Sequence, residues 1–336
     1  MNVRSFIWRT AFLASFIITL AASRPIPILD VAQLTKKADV IAVGEATSVQ
    51  ESGNTIIDVE YEKVPARAMI AEVRADQVLK GPSESLLKVR FFLPEAPVGY
   101  QSIRPLSYRL FFLKNSGNYY EFVSPYCPSI VAAPGIRAQG NSVLDRVVGQ
   151  VAGVLQSPRS PIEQKREAVY VLSRTESPAA TIALRPGLRE EDIIIQLGAA
   201  AALLEHNDIS GLQIAEQALL NPNKGIPAYL LHNLSYAISE GLQDERAIPA
   251  LTRLLQAHNI ETRRAAASAL RHTASHSAIP PLIAALQDSD FEVRYYSVIG
   301  LAEITGQNEW RPNMDDFRSK ELRYLNYWRD WGRTRN

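Results

Sequence analysis

Ala247-Ile248-Pro249-Ala250-Leu251 is followed 31 residues later by Ala278-Ile279-Pro280-Pro281-Leu282. The likeness continues, with Leu255-Gln256, Glu261, Arg263 and Leu270 standing at the same offset from Leu286-Gln287, Glu292, Arg294 and Leu301. A fixed period of that size marks a stacked helical repeat, whose units bury their apolar sides only against one another. The beat extends toward the N-terminus through Leu172, Leu203 and Leu234, so that five leucines are separated by 31, 31, 36 and 31 residues. About five units follow from it. The five extra residues before the fourth leucine are expected to lengthen the turn at Glu240-Gly241-Leu242-Gln243-Asp244, because insertions in repeats map to loops.

Within a unit the pattern reads as a first helix, a short turn and an alanine-rich second helix. In the last two units Pro249 and Pro280 fix φ in the first turn of the opening helix. Alanine allows helices of adjacent units to approach closely, and leucine fills the space between them. Ala199 to Ala202 with Leu203, and Ala265, Ala266, Ala267 and Ala269 with Leu270, fit that role. Asp288-Ser289-Asp290 supplies an N-cap and acidic start for the helix opening Phe291-Glu292-Val293-Arg294.

These residues resemble the HEAT repeat, in particular the short form named for phycobilisome lyases, over roughly residues 141 to 305. The resemblance implies an α-helical solenoid whose concave face holds a protein partner. Arg263 and Arg294, with their neighbours Arg264 and Tyr295, are the candidate partner-binding residues. The resemblance also implies a competing role for the two equivalent arginines as a ladder to acidic residues of the next unit, which suits a guanidinium fork. Deoxyhypusine hydroxylase, an enzyme built from such units, carries His-Glu pairs for iron. Here the residues after the histidines are Asn207, Asn233, Asn259, Thr273 and Ser277, so that chemistry is absent.

Ahead of the repeats, the period is two. Ile57, Val59 and Tyr61, then Met69, Ala71, Val73 and Ala75, then Leu87, Val89, Phe91 and Leu93 alternate with polar residues, as strands with one buried face do. Turns are expected at Glu51-Ser52-Gly53-Asn54, Lys80-Gly81-Pro82 and Asn115-Ser116-Gly117-Asn118, the last joining Tyr108–Lys114 to Tyr119–Val123 as a hairpin. A small antiparallel barrel or sandwich is predicted for residues 24–137. The order of cues, Ala38 to Gly44, Val78 to Gly81 and Tyr108 to Leu113, resembles secreted OB-like barrels of the netrin and metalloproteinase-inhibitor kind. Those modules depend on disulfides, which one cysteine cannot form internally, so protease inhibition is not carried over.

Arg4 and Arg9 precede an apolar run from Thr10 to Ala22, with Ala21, Ala22 and Ser23 as a small-residue cleavage site. This is the layout of a secretory signal over residues 1–23, and it predicts a periplasmic or secreted protein. The run is short for a membrane span. Cys127 lies far from the signal and in Tyr126-Cys127-Pro128 reads as a small residue at a strand end. The remaining composition, 46% hydrophobic with a net charge of +1, is that of a globular chain and offers no electrostatic case for nucleic acid.

The repeats are expected to occupy residues 138–306, followed by an amphipathic helix over 307–336 in which Phe317, Leu322, Leu325, Trp328 and Trp331 cover the last unit. An interfacial membrane role for that helix is the sharper alternative. His272 and His276 share a helical spacing but have no third ligand, and no phosphate loop, GxSxG elbow or HExxH motif is present, so no metal or cofactor is expected. The resulting expectation is an exported, non-enzymatic protein-binding adaptor. Its alternatives are an enzyme or lyase-like subunit with activity in the β domain, and an inhibitor presenting the Pro94 to Tyr100 loop.

Overall fold

In the computed structural model, residues 30–334 are described, apart from 60, 61, 97, 138, 223 and 224. The expected signal segment therefore lies outside the described residues, as does Tyr61. The chain divides into two compact units, residues 1–129 and 130–336.

In the first unit, Asp30 caps helix α1 (Val31–Lys37), and Lys80 donates to the Thr35 carbonyl at 3.0 Å near the helix's negative end. Five strands follow: β1 (Val40–Val59), β2 (Glu62–Lys80), β3 (Leu86–Pro94), β4 (Ser107–Ser116) and β5 (Tyr119–Phe122). A short β6 (Ser129–Val131) lies beside β4. The sheet runs β1-β2-β3-β5-β4 and closes because β1 also pairs with β4, Val40 opposite Leu113. It is a barrel, not a sandwich. Its pairs are antiparallel except β3 with β5, which run parallel through Val89–Tyr120. Alternate residues fill the interior: Val40 and Ala42, Ala71 and Val73, Leu87, Val89 and Phe91, Phe111 and Leu113.

The turn expected at Glu51–Asn54 does not form. β1 runs through it to Val59, and the surplus residue is taken up as a bulge between Glu51 and Gly53. Gly53 has φ +138°, a backbone conformation that residues with a β-carbon avoid. The β1–β2 pairing therefore continues as a long ribbon to Val59 and Glu62.

The second unit opens with α2 (Val143–Gln156), whose Ser142 and Asp145 form a reciprocal capping box. Five helix pairs follow the expected plan: α2 with α3 (Ile162–Ser173), α4 (Pro178–Leu184) with α5 (Ile193–Glu205), α6 (Leu212–Leu220) with α7 (Ala228–Gly241), α8 (Ile248–Leu254) with α9 (Ile260–His272), and α10 (Ile279–Ala285) with α11 (Phe291–Thr305). The second helices pack side by side in one layer, α3 on α5, α5 on α7, α7 on α9 and α9 on α11. One continuous apolar core runs from Leu197 to Trp328.

The second helices begin at Ile162, Ile193, Ala228, Ile260 and Phe291, at intervals of 31, 35, 32 and 31. Leu172, Leu203, Leu270 and Leu301 each hold the eleventh position, but in α7 that position belongs to Ile238 and Leu234 sits one turn earlier. Four of the five inserted residues thus precede α7, between Leu220 and Ala228. The expected site at Glu240 to Asp244 receives one.

Helix α12 (Met314–Arg333) closes the unit. Phe317, Leu325 and Trp328 are buried in the core, and Arg329 donates to the Leu286 carbonyl at 2.9 Å. Trp310 stacks on Tyr327 with ring centroids 3.6 Å apart. Leu322, expected on the covering face, is 71% exposed instead, because at helical spacing it falls outside the stripe formed by Phe317, Tyr324, Leu325 and Trp328. Among the described residues no helix is long and apolar enough to cross a membrane.

Candidate functional site

The layer of second helices presents a face whose side chains come from positions two, five or six, nine and thirteen of each helix. Positions four and five of these helices stitch the units together. At position four, Lys165 reaches Glu190 at 2.8 Å, Arg263 grips Asp288 through Nε and Nη2 at 2.8 and 3.1 Å, and Arg294 meets Glu321 at 2.5 Å. At position five, Arg166 holds Asp192 and Arg264 holds Asp290, each carboxylate being the N-cap of the following second helix. The paired guanidiniums hold both carboxyls below their ordinary range, helped by backbone N–H groups of Ile195 and Val293.

Arg263 and Arg294 are largely buried, and each also donates to two carbonyls at the start of its own helix, those of Ala257 and His258 and those of Asp288 and Ser289. Tyr295 packs against Phe317 of the closing helix, ring centroids 5.5 Å apart. Of the four residues singled out in the sequence, only Arg264 borders an open depression.

The ladder lapses around the third pair. Position four holds Gln196 in α5, which turns to the Leu188 carbonyl, and Leu231 in α7; position five holds Leu197 and His232. Helix α7 is capped by Pro227 with no side-chain hydrogen bond. Along this face α3 carries Tyr170 (52% exposed), and α7 carries Tyr229 (53%) and Tyr236 (57%).

Position nine alternates in size along the layer: Tyr170, Ala201, Tyr236, Ser268. Position six is small at the same two helices, Gly198 in α5 and Ala265 in α9. Two depressions result. One, about 200 Å³, lies over α5 with a floor of Gly198, Ala201 and Ala202, walls from Tyr170 and Leu230, and Glu205 and Asn233 at its rim. The other, about 210 Å³, lies over α9 between Tyr236 and Tyr296, with His232, Glu261 and Arg264 at its edge. His232 Nδ1 is 3.3 Å from Glu261.

Glu205 ends helix α5, where the helix dipole disfavours a negative charge. Burial of the carboxyl pushes its pKa up, with His206 and Arg174 opposing the shift. Arg174 instead lies over the Tyr170 ring at 5.3 Å. Its place is set by Gly241, where an added β-carbon would come within 2.4 Å of the Glu205 α-carbon and the Leu204 carbonyl.

His272 ends α9 and its Nδ1 lies 3.0 Å from the Ser239 carbonyl, whereas His276 falls in the short turn after it. No group of three metal-binding side chains occurs among the described residues. Cys127, in the first unit, is half-buried.

Residues 229–302 match the family model of HEAT repeats. Among solved structures, the chain is similar to the complex of CpcE and CpcF of phycocyanin lyase from Nostoc sp. PCC7120, at 20% identity over 55% of this chain and 72% of that one, with a TM-score of 0.37. An engineered protein matches at 20% identity over 55% and 97% of the two chains, TM-score 0.38. Human deoxyhypusine hydroxylase in complex with glycerol matches at 17% identity over 55% and 72%, TM-score 0.26. No curated protein matches the chain. Paired helices, an ion-pair ladder between units and the matched segment agree: the second unit is a solenoid that carries HEAT repeats.

Proposed function

We propose that this protein is an exported, non-enzymatic adaptor that holds another protein on the face formed by its second helices. One observation carries the reading: the face bears three exposed tyrosines, Tyr170 on α3 and Tyr229 and Tyr236 on α7, beside two depressions of about 200 and 210 Å³. Small-molecule sites enclose about 300–1,000 Å³, so these are sockets for single side chains of a larger partner. Solenoids use such long faces for protein partners. The export component rests on the charged, apolar and small-residue order of residues 1–23.

The test is affinity capture from the native extracellular or periplasmic fraction, with the wild type and a Tyr170→Ser/Tyr236→Ser variant. A partner held by the wild type and lost by the variant is the expected outcome. Equal capture by both would place binding off this face and sink the reading.

A further inference from the structure

Resting on the adaptor reading, we infer that the partner presents an extended segment with a lysine or arginine for the socket over α5 and an aromatic or large apolar side chain for the socket over α9. The two sockets differ in chemistry. Over α5 the floor is methyl and methylene surface, and among the described residues Glu205 at its end forms no hydrogen bond or ion pair. A long cationic side chain matches both features, laying its alkyl stem on Gly198 and Ala201 and placing its charge at the carboxylate. Asn233 offers an amide oxygen beside it.

Over α9, Arg264 is paired with Asp290, and Glu261 lies 3.3 Å from His232 Nδ1 at the socket's edge. What that socket leaves to a ligand is the pair of rings of Tyr236 and Tyr296, which suits an aromatic or apolar group.

Spacing follows from the fold. The sockets sit over helices two steps apart in one layer, and packed helices are about 8–10 Å apart, which places the sockets roughly 16–20 Å from each other. An extended chain advances about 3.3 Å per residue, so the two anchors are separated by about five or six residues. A helical segment would need its anchors about 11–13 residues apart to span the same distance, so the anchor spacing distinguishes the two.

The experiment is selection of a displayed random twelve-residue peptide library against the full chain, run in parallel with Glu205→Gln and with Tyr170→Ser/Tyr236→Ser. The wild type is expected to enrich peptides with Lys or Arg about five or six residues from an aromatic. Glu205→Gln is expected to lose the basic preference while keeping the aromatic one, and to bind the recovered basic peptides about tenfold more weakly, as loss of one charge-assisted hydrogen bond gives. Enriched peptides that lack a basic preference, or bind Glu205→Gln equally well, would overturn the inference and leave the adaptor reading standing. Peptides that bind the double tyrosine variant as well as the wild type, or no enrichment at all, would overturn both. A cooperative thermal melt of Glu205→Gln with a midpoint no lower than that of the wild type establishes that the variant is folded.

Discussion

At Glu205, burial and the helix terminus both act against the charged form, while the open socket beside it gives the carboxylate a use. Its folded pKa is raised, so this group favours folding at low pH and that contribution is lost as pH rises through the folded value. Glu205→Gln is therefore expected to raise the midpoint of thermal unfolding at pH 7, by an amount equivalent to a few tenths of a kcal/mol because the residue is solvent-exposed. A lower midpoint would show that the carboxylate is internally stabilised. Asp290 is the opposite case. Held low by Arg264 and by two backbone N–H groups, it stabilises the fold above the ordinary aspartate pKa, and the contribution disappears as pH falls through its lowered value. Asp290→Asn keeps a capping oxygen but removes the charge, and is expected to cost about 0.5–1 kcal/mol at pH 7, a difference that shrinks as pH falls through the lowered Asp290 value. Urea melts of the two proteins across that range measure it. The partners of Arg263 and Arg294 could be anticipated as acidic and from the next unit, but not the choice of Asp288 and Glu321, since many carboxylates lie near each arginine in sequence.

Among the elements, α7 departs most from its neighbours. Its leucine passes for a member of the beat because residues four apart share a helical face, so Leu234 and Ile238 present the same apolar stripe. The period alone therefore places the insertion in the wrong turn. Where α7 ends, it touches the backbone of α5, and Gly241→Val is expected to destabilise by about 1–3 kcal/mol through overpacking, readable as a shift in denaturant midpoint. An unchanged midpoint would mean that the two helix ends can separate without cost. The β1 ribbon was obscured for a related reason: Ser-Gly-Asn is turn chemistry, yet a bulge with a left-handed glycine accommodates the same residues inside a strand.

Across the whole molecule, a stack of repeats needs a covered end. Trp328 of α12 is fully buried in the core, and Trp328→Ala is expected to cost about 3–5 kcal/mol. Truncation after Gly306 is expected to remove more helical circular dichroism than the deleted helix accounts for, because α10 and α11 lose their cover. Loss of only the deleted helix's signal would show that the fifth pair is stable alone.

Period, turn chemistry and alanine content were enough to establish a β unit followed by about five stacked helix pairs and a tryptophan-bearing closing helix, since burial against a neighbour imposes those patterns on any chain that folds this way. The N-cap at Asp290 is local and equally legible. Barrel closure through β1 and β4, the lapse of the ladder and the sockets over α5 and α9 arise from juxtaposition of residues far apart in the chain. Size alternation among Tyr170, Ala201, Tyr236 and Ser268 carries meaning only once the helix registers are known, and those registers are set by packing after the insertion has shifted α7.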